Sequence, residues 1–193
     1  MTSYAARARA QFRDAVLDAT LGAVTSGGRT SMAAVAARVG VSRQTLYHEF
    51  GTRDGLLAAL VARENDAILR AVTVALERHP HDLPAAAAAG VLAVLQRSAD
   101  DPFAKALLGG GDLLPLFTTR AKPLLQRSNE ALLGYAQEHY PEVDPADLRV
   151  LVDVVVGLAH SHLVLARDPP QQVAAQISRL VARFLHGLDT RSS

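Results

Sequence analysis

Gly40-Val41-Ser42-Arg43-Gln44-Thr45-Leu46-Tyr47-His48-Glu49-Phe50, GVSRQTLYHEF, is the stretch whose reading decides the fold. Most of the surrounding chain is alanine, leucine and valine at helical spacing. Here charged, polar and aromatic side chains crowd a segment long enough for only about two helical turns. Ser42 is a strong N-cap type, so a helix starts at Arg43, and it ends near Phe50 because Gly51 breaks it. Leu46 and Phe50 lie four residues apart and share one face, which is the inner one.

Upstream, Thr30 or Ser31 caps a short helix running through Arg38, and Gly40 breaks it. Ala36 is small enough to let two helices approach closely. Gly40 tolerates the left-handed backbone of a tight turn. Val35, Val39, Val41 and Leu46 bury the inner faces. The product is a helix-turn-helix, whose second helix projects its first turn into a DNA major groove. The alternative is an ordinary packed pair with a polar outer face. In a helix-turn-helix, Arg43, Gln44 and Thr45 reach base edges: Arg pairs with guanine, Gln with adenine, and the Thr methyl touches thymine. Tyr47, His48 and Arg53 are placed for phosphates, as are the backbone N–H groups that follow Ser31 and Ser42.

Charge supports a polyanionic partner. Residues 1–53 hold seven Arg against Asp14, Asp18 and Glu49, a local balance of +4 in a chain whose total is +1. With 49% hydrophobic residues the chain has ample material for a core. Aromatics supply only 5%, so that core is aliphatic. The absence of Cys excludes disulfides, thiolate zinc sites and a Cys nucleophile, and it fits a reducing compartment. No secretory h-region opens the chain, and no run reaches the roughly eighteen apolar residues of a membrane span, so a cytoplasmic protein without membrane contact is expected. Only the ends, Met1–Ala6 and Thr190–Ser193, are expected to lack order.

Apolar spacing is helical almost throughout, which predicts an all-α chain. One stripe runs from Phe12 through Val16, Leu17, Thr20 and Leu21 to Val24, and glycines at 27 and 28 end it. Thr52 caps a long fourth helix, Leu56 to Leu76, with Asp54 near its positive end. The last two helices start at Pro145 and Pro170, since proline suits a first turn. The β-branched run Val150–Val156 has no partner strand. It reads as a helix buried on most of its circumference, which suits a subunit interface.

Thr30-Ser31-x3-Val35-Ala36-x3-Gly40-Val41-Ser42-x3-Leu46-Tyr47-x2-Phe50-x-Thr52-Arg53-Asp54-x-Leu56 closely resembles the N-terminal DNA-binding domain of TetR-family transcriptional regulators. The resemblance covers about residues 7–60. It implies a helix-turn-helix domain over 7–53, joined by a long helix to an α-helical ligand-binding and dimerisation domain over 54–189. It implies a homodimer, here through the last two long helices, on double-stranded operator DNA. The base-reading positions fall on Arg43, Gln44 and Thr45, the phosphate-contacting tyrosine on Tyr47 and the usual phosphate-contacting lysine on Arg53. Two positions depart from the pattern. His48 replaces an aromatic and donates to phosphate only in the right tautomer or charge state. Glu49 stands where histidine or tyrosine is common: its carboxylate turns away, pairs with a neighbouring Arg, or accepts from cytosine N4.

The apolar stretch from Phe103 to Leu125, with Leu107, Leu113, Phe117 and Leu124, is the candidate wall of an effector pocket, and it would favour a small apolar or amphipathic molecule. Asn129 and His160 are candidate polar contacts there, with Gln126 and Tyr135. Neither metal nor cofactor is expected. His160 and His162 point about 200° apart on a helix and cannot share one metal. Gly22–Thr30 lacks the lysine and the preceding strand of a phosphate loop. Gly109–Gly111 with Asp112 is an inter-helix joint, and Ser161 has no nucleophile-elbow glycines. The expectation is a regulator, most simply a repressor released from a palindromic operator by its effector. The alternative is an all-helical small-molecule-binding protein or enzyme whose helix-turn-helix is only structural.

Overall fold

A computed structural model describes residues 4–27, 30–109, 113–165 and 168–189. Gly28, Arg29 and the segment 110–112 lie outside the described residues, as do the first three and last four positions. The described residues form helices joined by turns, with no strand, as the apolar spacing predicts. The helices are α1 (Tyr4–Thr25), α2 (Met32–Val39), α3 (Arg43–Phe50), α4 (Arg53–Leu76), α5 (Leu83–Asp100), α6 (Pro102–Leu108), α7 (Leu114–Phe117), α8 (Lys122–His139), α9 (Pro145–Val164) and α10 (Pro170–Asp189). The first begins at Tyr4, so part of the segment expected to lack order is helical.

Residues group into two compact units. One gathers Met1–Glu64 and Pro102–Leu116, and the other gathers Asn65–Asp101 and Phe117–Ser193. Helix α4 is continuous across the boundary and supplies residues to both.

In the first unit α1 packs on α2 and α6, and α2 packs on α3. The two caps read from sequence form. Ser31 Oγ accepts from Ala34 N at 3.2 Å, and Ser42 Oγ accepts from Thr45 N at 3.1 Å. Gly40 takes φ 72° and ψ 32°, and its N–H and that of Val41 return to the carbonyl of Ala36, closing α2 in the left-handed turn that glycine permits. Leu46 and Val16 are wholly buried, as are Leu56 and Leu60 on α4. Thr52 Oγ1 accepts from Gly55 N at 3.0 Å and caps α4. A Cβ at Gly55 would collide with the Phe50 carbonyl oxygen, so glycine at 55 lets the end of α3 lie this close to the first turn of α4.

The second unit is built on α10 lying along α5, with α9 against both α5 and α8. Val173, Ile177 and Val181 recur every four residues on α10 and meet Val91, Leu95 and Leu151. A second cluster joins Ala86, Leu133, Ala136, Tyr140 and Leu148. Asp82 and Asp144 cap α5 and α9, each with proline in the first turn. Helix α9 is not buried on most of its circumference within one chain. Leu148 and Leu151 are buried, whereas Val150 and Val154 are 51% and 43% exposed.

Candidate nucleic-acid interface and effector cavity

Helix α3 presents a polar, exposed face. Arg43, Gln44, Thr45 and His48 are exposed and Tyr47 is 44% exposed, while Leu46 and Phe50 anchor the opposite side. Arg43, Gln44 and Thr45 fill the first turn, where side chains project beyond the helix end and backbone N–H groups lack intrahelical acceptors. Thr45 Oγ1 lies 2.8 Å from Ser42 Oγ, so the capping pair also restrains the Thr45 side chain. The Ser31 and Ser42 hydroxyls are both occupied as caps, accepting from Ala34 N and Thr45 N. Arg53 is half-buried: its Nε donates to Thr30 O at 3.1 Å and one terminal nitrogen to Thr30 Oγ1 at 2.7 Å. Arg53 therefore ties the start of α4 to the residue before the α2 cap.

Glu49 is placed by residues far upstream. Arg9 Nε donates to both carboxylate oxygens, at 3.1 and 3.0 Å, and Arg13 donates to Oε1 at 2.6 Å. Of the three alternatives left by sequence, pairing with a neighbouring Arg is the one observed. Burial pushes the Glu49 carboxyl up, but the hydrogen bonds and charges of Arg13 and Arg9 outweigh it and hold the group below its usual 4.5. A carboxyl lowered in the fold stabilises it above that ordinary value, and the contribution is lost as pH falls through the lowered one.

The second unit holds a cavity open at one side, walled by α4, α5, α8 and α9 with Phe117. Its surface is overwhelmingly aliphatic: Ile68, Leu69, Val72, Val91, Leu132 and Val155 are among its walls. The few polar groups on it are mostly satisfied. Asn65 Nδ2 donates to Ser128 Oγ at 3.3 Å, and Ser128 Oγ bonds Leu124 O. Tyr140 OH donates to His79 O at 2.9 Å, and burial pushes that phenol up to about 12. His160 Nε2 lies 2.7 Å from Phe117 O, so this nitrogen carries the proton, and the ring packs on Phe117 at 4.6 Å. The exception is Tyr135. Its buried hydroxyl has no hydrogen-bond partner among the described residues, and its ring stacks on His139 at 3.9 Å. Burial, then the negative charges of Glu77 and Glu138, raise its pKa.

The residues expected to line an effector pocket divide between the units. Phe117, Leu124 and His160 are on the cavity wall, as is Tyr135. Phe103, Leu107 and Leu113 are buried in the first unit instead. Asn129 is half-buried off that wall, with its Nδ2 donating to Asp153 at 2.7 Å and its Oδ1 buried without a partner. Sequence reading missed Asn65 and Ser128. Each interrupts an apolar helical stripe, Val61-Asn65-Leu69-Val72 and Leu124-Ser128-Leu132, and that interruption was the available signal. Among the described residues no cluster could hold a metal ion, and no helix is long and apolar enough to cross a membrane.

Comparison with known proteins gives these features a setting. Residues 27–60 match the family described as bacterial regulatory proteins, tetR family, and residues 82–183 match the bacterial tetracyclin repressor C-terminal domain. The HTH-type transcriptional regulator AlkX of Mycobacterium tuberculosis is 32% identical over 192 residues, covering 96% of this chain and 91% of that protein. The crystal structure of the TetR family repressor AlkX from Dietzia sp. strain DQ12-45-1b, implicated in biodegradation of n-alkanes, superposes with a TM-score of 0.74 at 30% identity, over 90% of this chain and 97% of that one. The transcriptional repressor QsdR of R. erythropolis shares the fold alone, at 19% identity and TM-score 0.57, over 90% of this chain and 94% of the other. Regulators of this family bind operator DNA and effector ligands and act as dimers. The chain belongs to the TetR family and is a DNA-binding transcriptional regulator, not an enzyme.

Proposed function

We propose that the protein is a cytoplasmic repressor that binds a palindromic operator as a homodimer and is released by an amphipathic effector with an aliphatic body. The observation that carries the DNA half is the exposed first turn of α3, Arg43-Gln44-Thr45, backed by buried Leu46 and Phe50. Arg43, Gln44 and Thr45 read base edges. Tyr47, His48 and Arg53 take phosphates together with the helix starts after Ser31 and Ser42. A functional division near residue 53, with DNA binding over 7–53 and ligand binding with dimerisation over 54–189, fits this assignment. The dimer forms through α9 and α10, where Val150, Val154 and Leu180 leave apolar surface exposed.

The experiment that tests this is a shift titration on a duplex spanning the protein's own upstream region, beside a scrambled duplex. Gln44→Ala is expected to weaken operator binding by about 1–3 kcal/mol and relax preference at one base pair. A loss of equal size on both duplexes would remove Gln44 from the reading face.

The effector half rests on the aliphatic cavity and on the one buried hydroxyl in it that lacks a partner, Tyr135 OH. An effector with a long apolar body and one hydrogen-bonding end suits both features. The link of the Dietzia relative with n-alkane biodegradation supports an aliphatic chain. Such a ligand releases DNA by binding better to the conformation that fits the operator worse, which shifts the population. Helix α4, shared by both units, is the covalent route for that coupling. Tyr135→Phe is expected to weaken binding of a polar-ended amphiphile by roughly threefold to tenfold, the size of one net hydrogen bond. Binding of a hydrocarbon of the same length should be unchanged. Calorimetric titration of both ligands checks it, and equal losses would exclude Tyr135 as the polar contact.

A further inference from the structure

Base and phosphate contacts leave Glu49 without a role on α3, yet it is the best-anchored polar side chain there. Tyr47 and His48 beside it are exposed, whereas the Glu49 side chain is 8% exposed. Two arginines of α1 cover it. Arg9 contributes Nε to both carboxylate oxygens, and Arg13 contributes a terminal nitrogen at 2.6 Å while its guanidinium lies over the Phe50 ring, 4.8 Å from the centroid. Three charges thus form a cluster of net +1 flanking the reading helix. Either arginine alone is suited to a DNA phosphate, and Arg9 is 67% exposed.

We propose that Glu49 is a specificity-determining residue: it holds Arg9 and Arg13 on its own carboxylate, withholds both cations from the DNA backbone, and fastens α3 to α1. Phosphate contacts carry no sequence information, so two more of them would strengthen binding to every duplex alike. Each added phosphate contact steepens the salt dependence by about 0.9 unit, which at 0.1 M salt is roughly eightfold in affinity. Base reading, by contrast, needs α3 held in one pose. One carboxylate therefore raises the ratio of operator to non-operator binding from both directions. The inference rests on α3 facing DNA.

The test titrates the full chain against its upstream duplex and a scrambled duplex between 50 and 200 mM salt. Glu49→Gln keeps the shape and removes the charge. Its binding to scrambled DNA is expected to tighten about eightfold or more at 0.1 M salt, with a salt slope steeper by about one to two units and a lower operator preference. Arg9→Ala alone should leave the slope unchanged, while in the Glu49→Gln background it should remove about one unit. An unchanged or shallower slope in Glu49→Gln overturns the proposal. So does a loss of about one unit for Arg9→Ala alone, since Arg9 would then already sit on phosphate. The second result decides even if Glu49→Gln does not fold. A native chain that fails to distinguish the two duplexes overturns the DNA-reading assignment as well, so the two failures are separable.

Discussion

Leu46→Ala is expected to cost about 2–5 kcal/mol of stability in the unit that carries α3, and to remove operator binding with it. Leu46 is 0% exposed and sits at the centre of the inner face of α3, between the cap at Ser42 and the aromatic anchor Phe50. Alanine deletes three carbons from a site with no solvent to fill the gap, so the lost transfer energy and the cavity add. A whole domain is stable by only about 5–15 kcal/mol, and this loss takes a large share. The helix has little propensity to offset it: eight residues are too few to be stable without packing. The measurements are a denaturant midpoint and an operator shift. Every cavity-wall residue belongs to the other unit, so effector binding serves as the internal control. An unmoved midpoint would mean that α3 is held by something other than its buried face.

Val154→Asp is expected to convert the dimer to monomers and to weaken operator binding by orders of magnitude. Val150 and Val154 are four residues apart on α9 and form one stripe with Gly157 and Ser161, all exposed in the single chain. The stripe is apolar or small along its length, which permits close approach of a second helix. In a two-fold interface each substitution counts twice, because the same patch is present on both subunits. Two unpaired carboxylates would then lose their water; a single uncompensated buried charge costs about 3–5 kcal/mol. Light scattering after size exclusion reads the mass directly. A Val154→Asp protein that stays dimeric would place the interface elsewhere.

How much of this was legible in the sequence depended on the range of the interactions concerned. The helix-turn-helix was written in neighbouring residues: Ser31 and Ser42 as caps, Gly40 as the left-handed turn, Leu46 and Phe50 as the back of the helix. Helix starts at Pro145 and Pro170 were local in the same sense. The partners of Glu49 were not, because they lie forty and thirty-six positions upstream and arginine is common in that region. Phe103 and Leu107 showed helical apolar spacing, but spacing carries no address. Their burial in the first unit is set by α1 packing on α6. The β-branched run of α9 reads the same whether its outer side is covered by its own core or by another subunit. Its exposed valines were therefore invisible until the single-chain fold was known.

The junction of α3 with α4 bears on how this sequence can drift. At Gly134 on α8 nothing lies within 4 Å of an added Cβ, and many residues are sterically admissible there. At Gly55 the first carbon of any side chain would enter the Phe50 carbonyl oxygen. That oxygen is backbone, so no compensating change of a neighbouring side chain can make room. Position 55 thus accepts a side chain only if the backbone where α3 meets α4 shifts. Recombination among related chains that breaks between α3 and α4 must keep this glycine to keep the reading helix in place.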